Sequence, residues 1–177
     1  MKVEAEFMRK ANKMVFVSLL VAQSLIMFII ENQIPYPFIA PGAKIGLSNL
    51  FVVICLYIFD GKISFMVVIL KVILSSIITG NMSTFIYSIS GGLLSLLFMY
   101  LEKRYLEKRV SILGVSITGA VMHNFAQIIV ASFMTGSIVL FLYLPILTFL
   151  AILSGLFIGL VSNFFLKQYK KIKFLGV

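Results

Sequence analysis

Acidic residues are scarce in this chain of 177 residues, which contains six of them against 15 lysines and arginines. Each falls in a predicted tail or loop; the six are Glu4, Glu6, Glu31, Asp60, Glu102 and Glu107. Holding magnesium on a diphosphate requires carboxylates, and proton-coupled transporters usually place acids inside the membrane. Because the sequence offers neither arrangement, we expect no magnesium–diphosphate active site and no proton coupling.

Cysteine and histidine are nearly absent, with one residue of each. Cys55 alone cannot form an internal disulfide, and one histidine with one buried cysteine cannot build a recognisable zinc site. The sequence offers no membrane-embedded Ser-His-acid set and no glycine-rich phosphate loop with its lysine. We therefore expect a chain that is not an enzyme, uses no cofactor or metal, and does not itself hydrolyse ATP.

Charged residues make up only 12% of the chain, whereas hydrophobic residues make up 61% and the mean hydropathy is +1.12. Soluble domains are about 45–50% apolar and about 25% charged. These values predict one compact integral membrane domain over residues 1–177. Its basic residues cluster at the ends of apolar runs, which favours contact with anionic membrane lipid over binding to nucleic acid.

Six apolar runs predict six membrane-spanning helices, at about 14–30, 45–59, 63–79, 84–100, 111–134 and 138–166. The second and third runs are short for a bilayer, and Pro145 predicts that the sixth either kinks or begins as a surface segment. Basic residues lie in the N-terminal lead, at Lys62, in 101–109 and in the C-terminal tail. Because lysine and arginine favour cytoplasmic loops, we predict an all-α bundle with both termini cytoplasmic, multi-pass in a bacterial cell membrane.

The segment 31–44 contains three of the four prolines in the chain. Proline fixes φ and removes a backbone donor, so the segment predicts a constrained loop, which the charge pattern places on the extracytoplasmic side. Long ordered loops often act as lids, and a simple connector is the alternative.

Polar residues interrupt the fifth apolar run at membrane depth. His123 and Gln127 are four residues apart and therefore share one face of a helix, with Asn124 beside them. Polar groups at this depth usually point toward other helices or toward a water-filled cavity. Ligand binding and hydrogen bonding between helices both remain open for His123.

Lys71 lies in the middle of the third run, where a charge is costly and marks a functional candidate; snorkelling toward a headgroup is the alternative. The candidate substrate-binding residues are cationic or polar, and none is acidic: Lys44, Ser48, Asn49, Lys71, Asn81, His123, Asn124 and Gln127. This set predicts a small-molecule ligand with a carboxylate, a phosphate or several hydrogen-bond acceptors. The many aromatic residues offer surfaces for its apolar body.

Ser18 and Ala22 form a pair of small residues four apart in the first run. Such a pair allows another helix to approach closely. The sequence leaves open whether that helix belongs to this chain or to a separate membrane subunit.

Two sequence motifs carry a family resemblance. The segment PGAKIGLSNL at 41–50 resembles the PGxKxGLxN motif of the Gx transporter family, and GAVMHNFAQ at 119–127 resembles its GAxxHNxxQ motif. The turn TGN at 79–81 resembles that family's turn. Members are often called heptaprenyl diphosphate synthase component I. The six-span pattern also resembles the substrate-binding (S) components of energy-coupling factor (ECF) transporters.

The resemblance implies a transport mechanism. An S component binds a vitamin-like ligand near the external face, docks on a transmembrane (T) subunit driven by two ATPase subunits, and releases the ligand inside. By this resemblance Ser18 and Ala22 lie on the docking face, and the ligand is a cofactor or precursor such as a flavin or a quinone or isoprenoid precursor. Two alternatives are a non-catalytic membrane partner of a polyprenyl diphosphate synthase and an autonomous small facilitator.

Overall fold

A computed structural model describes residues 2–33, 46–107 and 109–174, and almost all of them are helical. Six α-helices follow one another: α1 (Lys2–Gln33), α2 (Leu50–Ile58), α3 (Gly61–Thr79), α4 (Met82–Tyr105), α5 (Ile112–Thr135) and α6 (Leu144–Phe174). One 3-10 helix (Leu47–Asn49) leads into α2, and another (Ile138–Tyr143) leads into α6. The predicted all-α fold is confirmed.

Five stretches of the described chain are long and apolar enough to cross a membrane: Ala11–Gln33, Gly61–Thr79, Met82–Tyr105, Ile112–Thr135 and Ile138–Lys171. Large apolar side chains such as Phe133, Leu142 and Phe164 are exposed on their outer surface. In water this surface would be unfavourable, whereas in a bilayer it faces lipid. The chain is therefore a multi-pass membrane protein, as its composition predicts.

The second predicted span is shorter than the other five. Its described helical part is the 12-residue stretch Leu47–Ile58, which at about 1.5 Å per residue is roughly 18 Å long against a hydrocarbon core of roughly 30 Å. It begins inside the bundle, where the Ser24 hydroxyl of α1 donates a hydrogen bond to the Ser48 carbonyl (3.0 Å). Its far end lies near Lys13, whose Nζ is 5.4 Å from the centre of the Phe59 ring. This segment therefore occupies one half of the depth of the bundle.

Helix α1 extends beyond both ends of the first predicted span, and this extension corrects the assignment of Glu31 to a loop. Glu31 lies within α1 and is only 1% exposed. It shares a buried face with Val17, Ser24 and Phe28, whose spacings of seven, four and three residues follow the helical repeat. The structure therefore places the Glu31 carboxylate inside the protein.

The turns after α3 and α5 lie where the sequence predicts them. Gly80 and Gly136 end these helices with φ angles of 62° and 64°, a left-handed conformation that glycine adopts without strain. Pro145 lies in the first turn of α6, where a proline removes no intrahelical hydrogen bond. Because Ile138–Tyr143 precedes it as a separate 3-10 helix with no buried residue, the proline starts α6 and does not kink it.

Helix α5 lies at the centre of the bundle, with half of its apolar window buried against a third for the other four spans. Glycines on α6 bring the two backbones together: a Cβ atom added at Gly155 would lie 2.6 Å from the Cα of Ile117 on α5. On the opposite side, a Cβ atom added at Gly119 would lie 2.5 Å from the sulfur of Met99 on α4. Close packing between α4 and α6 therefore places the polar face of α5 inside the protein.

Candidate functional site

A chain of hydrogen bonds crosses the interior and connects three elements of the fold. Lys71 of α3 donates to Asn49 of the first 3-10 helix, Asn49 contacts His123 of α5, and His123 contacts Gln127 one turn further along. Ser48 accepts a second hydrogen bond from Lys71. All five side chains are buried. We refer to Ser48, Asn49, Lys71, His123 and Gln127 as the polar network.

The ammonium group of Lys71 is held inside the protein and does not reach a membrane surface. Lys71 is 3% exposed, and its Nζ lies 2.9 Å from Asn49 Oδ1 and 3.2 Å from Ser48 Oγ. A buried charge is tolerated only when protein groups replace its water shell. These two acceptors provide part of that shell, so the structure rules out snorkelling as the explanation for this lysine.

The lysine sets the direction of the hydrogen bonds that follow. Because an ammonium group only donates, Asn49 faces it with its oxygen and turns its NH₂ group toward His123 Nδ1, 3.2 Å away. Nδ1 therefore accepts, and a neutral imidazole carries its proton on Nε2. The Gln127 amide lies 3.1 Å from Nε2, and its oxygen, which a half-turn of the amide exchanges with the nitrogen, is the matching acceptor.

An acidic residue joins this region, which corrects the expectation that the candidate site contains no anion. Glu31 of α1 accepts a hydrogen bond from the backbone N–H of Gly46 at 2.5 Å. Gly46 has a φ angle of 83°, and a Cβ atom there would lie 3.2 Å from Asn49 Nδ2 and 3.4 Å from His123 Cδ2. Gly46 therefore connects the buried carboxylate of Glu31 to the edge of the polar network.

The imidazole of His123 also packs against the backbone of α4. A Cβ atom added at Gly91 would lie 2.7 Å from both Cε1 and Nδ1 of the ring. No larger residue fits there unless the ring moves. Gly46 and Gly91 therefore contact the same side chain from two directions. The second contact was not predicted, although a glycine inside an apolar span is the sequence feature that could have indicated it.

Two of the eight candidate residues lie elsewhere. Asn124 is buried but points to α6, where its Nδ2 donates to the Leu147 carbonyl at 3.2 Å. Asn81 is exposed and caps α4 by accepting from the Ser83 N–H at 2.8 Å. Asn81 follows the C-terminal end of α3, and that end is about 12 Å along the helix axis from Lys71. Lys44 lies outside the described residues.

Ser18 and Ala22 are both exposed on α1, so the structure does not use them for packing within the described bundle. They line a groove of about 540 Å³ between α1 and α3. Its other walls are mainly apolar and include Val21, Leu25 and Leu70. The pair therefore lies on a surface that another helix or a lipid chain can contact.

The polar network provides hydrogen-bonding groups of several kinds. It offers an ammonium, two amides, an imidazole and a hydroxyl, in a region lined by apolar helices. Within the described ranges no three His, Cys, Asp or Glu side chains come together as metal ligands. An ammonium beside amide and imidazole N–H donors suits a carboxylate, a phosphate or a ring with several acceptors.

Fold and site together define an all-α multi-pass membrane protein that encloses a lysine-centred polar network. The chain belongs to the heptaprenyl diphosphate synthase component I family, which it matches over residues 20–165. This range includes Glu31 and the whole polar network. No curated protein and no solved structure matches the chain.

Proposed function

We propose that this protein is a non-catalytic, substrate-binding membrane subunit that carries a small cofactor or precursor, with ATP hydrolysed by partner proteins. The burial of Lys71 within the polar network carries the proposal. Burying an ammonium in a helical bundle costs free energy, and apolar residues of similar volume are often equally or more stabilising. Binding of an anionic ligand explains why the charge is buried, whereas packing of helices does not require it.

The ligand class follows from the groups that face one another. A carboxylate or phosphate oxygen takes up a hydrogen bond from Lys71, while the Gln127 amide can turn to donate or accept. Ligands with several acceptors on a flat ring, such as a flavin or a quinone precursor, also match this set. Glu31 fixes the backbone at Gly46 and so keeps Asn49 in place before the ligand arrives.

The groove beside Ser18 and Ala22 is the proposed docking face for a partner. Small residues on an exposed helix face allow a second helix to approach closely in the membrane. In the ECF arrangement this partner is the T subunit, which two ATPase subunits drive. Release of the ligand then follows from movement of the bundle against the partner and not from chemistry within this chain.

A second candidate function rests on the name of the family. Under it the protein is a non-catalytic membrane partner of a polyprenyl diphosphate synthase, bound through its basic end. Lys62, Arg104, Lys167 and Lys170 are exposed at the ends of α3, α4 and α6 and offer a basic surface to a soluble enzyme.

Extraction of the bound small molecule tests the first candidate. The protein is purified from its own host in mild detergent, denatured, and the released compounds are identified by mass spectrometry. We expect one anionic or acceptor-rich compound with the wild type, and at least tenfold less with Lys71→Met or His123→Ala. Lys167→Met is the matched control, because it makes the same change at an exposed lysine and should retain the compound.

Two results would contradict the first candidate function. Equal amounts of the compound in all four proteins would assign the polar network to packing. A wild type that releases no compound, but purifies with a prenyl synthase, would favour the second candidate. Thermal unfolding of each variant in detergent separates loss of binding from loss of folding.

A further inference from the structure

A second cavity lies away from the polar network, between the beginning of α3 and the second half of α4. It has a volume of about 900 Å³. Its lining is mostly apolar, with charged residues at one end: Asp60, Gly61, Lys62, Phe65, Leu93, Leu96, Leu97 and Tyr100. We refer to this cavity as the α3–α4 groove.

The apolar part of the groove opens toward lipid. Phe65 and Leu97, on opposite walls, are 51% and 49% exposed in the isolated protein. At the other end the Tyr100 ring packs against the start of α3, because Gly61 has no side chain; a Cβ atom there would lie 2.7 Å from two ring carbons. The groove is therefore an apolar slot that ends at the polar boundary of the bundle.

Two cations lie at this boundary. Lys62 lines the groove, and Arg104 follows Tyr100 by one helical turn. The Arg104 Nη1 donates to the Tyr100 hydroxyl at 2.9 Å, and its guanidinium lies 5.7 Å from the centre of the Tyr105 ring. Both contacts hold the guanidinium near the end of the slot, among aromatic residues of the kind found at membrane interfaces.

Asp60 also lines this end of the groove, and its role is local. Asp60 caps α3, accepting a hydrogen bond from the Ile63 N–H at 2.9 Å through Oδ1. The carboxylate thereby satisfies the first turn of the helix. Lys62 and Arg104 carry two positive charges against the one negative charge of Asp60, whereas Glu102 and Glu107 interact with Tyr57 on α2.

We propose that the α3–α4 groove binds one anionic phospholipid, with the phosphate between Lys62 and Arg104 and an acyl chain along Phe65 and Leu97. The apolar part of the α3–α4 groove provides a surface for the acyl chain, and the two cations attract a headgroup with net negative charge. A zwitterionic lipid with the same chains has the same apolar contacts but a weaker attraction to the cations. This site uses none of the residues of the polar network and does not depend on the proposed function.

Lipid titration of the full-length protein tests this site. Phosphatidylglycerol and phosphatidylcholine with identical chains are added in detergent, and bound lipids are counted by native mass spectrometry. We expect one phosphatidylglycerol to bind more tightly than phosphatidylcholine. The double variant Lys62→Gln/Arg104→Gln should weaken phosphatidylglycerol binding by about thirtyfold, from loss of two near-surface cations, and should weaken phosphatidylcholine binding much less.

Two further variants separate charge from shape. Lys167→Gln/Lys170→Gln removes the same number of positive charges from exposed positions on α6 and should leave phosphatidylglycerol binding intact. Leu97→Trp places a larger side chain in the groove and should weaken binding of both lipids.

Three results would overturn the assignment. The first is equal binding of the two lipids, and the second is an equal loss in the α6 control variant. In the third, geranylgeranyl diphosphate displaces phosphatidylglycerol at lower concentration, which would make the groove a prenyl diphosphate site. Small-molecule retention by the Lys62→Gln/Arg104→Gln variant distinguishes failure here from failure of the proposed function, because the polar network is unchanged in that variant.

Discussion

Asn49 is the residue on which the polar network depends most, because it alone connects Lys71 to His123 among the described contacts. Replacing it with leucine removes the acceptor 2.9 Å from the Lys71 ammonium and the donor 3.2 Å from His123 Nδ1. Ser48 remains as an acceptor of Lys71 at 3.2 Å. Asn49→Leu therefore leaves a buried charge with fewer partners, whereas Lys71→Met removes the charge itself.

The expected energies follow from these contacts. Hydrogen bonds between membrane helices contribute on average about 0.6 and at most about 1.7 kcal/mol each. The two lost in Asn49→Leu predict a decrease in the free energy of unfolding of about 1–3 kcal/mol. Once Asn49 is absent, removal of the lysine relieves the poorly solvated ammonium. The double variant should therefore be more stable than the sum of the single effects by about 1–2 kcal/mol.

The assay is a double-mutant cycle on Asn49→Leu and Lys71→Met, with unfolding measured in mixed micelles of a mild and a denaturing detergent. Asn124→Leu with Lys71→Met is the matched control, because Asn124 is equally buried but bonds to Leu147 on α6. That control cycle should be additive within about 0.5 kcal/mol. The same additivity for the Asn49 cycle would refute the network.

Substitutions at three other positions test separate contacts, each by unfolding in detergent. Gly91→Ala places a Cβ atom against the His123 ring and should destabilise the protein by about 1–3 kcal/mol and reduce ligand retention; unchanged retention would show that the ring position is unimportant for binding. Gly155→Val should cost more than 2 kcal/mol, roughly, because its neighbour is the rigid backbone at Ile117; a neutral result would contradict the close approach of α5 and α6. Asp60→Ala should cost about 1 kcal/mol through loss of the α3 cap, whereas Asp60→Asn should cost much less.

Much of the fold could be predicted from apolar runs, because a helix that spans a bilayer must carry a long apolar sequence and must satisfy its own backbone. The second span was also located to within two residues, at 45–59 against the described Leu47–Ile58, but its depth in the bundle could not be predicted. The depth at which it begins is set by tertiary contacts, such as the hydrogen bond from Ser24 to the Ser48 carbonyl.

Some of the residues that form the polar network could be predicted from the sequence. Polar residues in apolar runs must find partners inside the protein, so Lys71 and His123 could be expected to lie near other polar groups. Which groups they contact depends on helix rotation. Asn124 differs from His123 by only 100° around α5, and this rotation is enough to turn it toward α6. Glu31 was missed because the proline-rich segment that follows makes the end of α1 difficult to locate from sequence.

Lipid exposure explains why Ser18 and Ala22 could not be assigned from sequence. In a soluble protein, small residues on an apolar helix face usually indicate packing within the chain. In a bilayer an apolar face can equally well face lipid, so the pattern does not reveal which side of α1 is buried. The structure places both residues at the surface, beside the groove between α1 and α3.

Native mass spectrometry of the protein, isolated gently from its own host, tests the central claim most directly. The account predicts a retained small-molecule mass that is lost in Lys71→Met, together with a membrane subunit and ATPase partners that remain bound in that variant. Retention of a prenyl synthase without any small molecule would contradict it and would support the second candidate function.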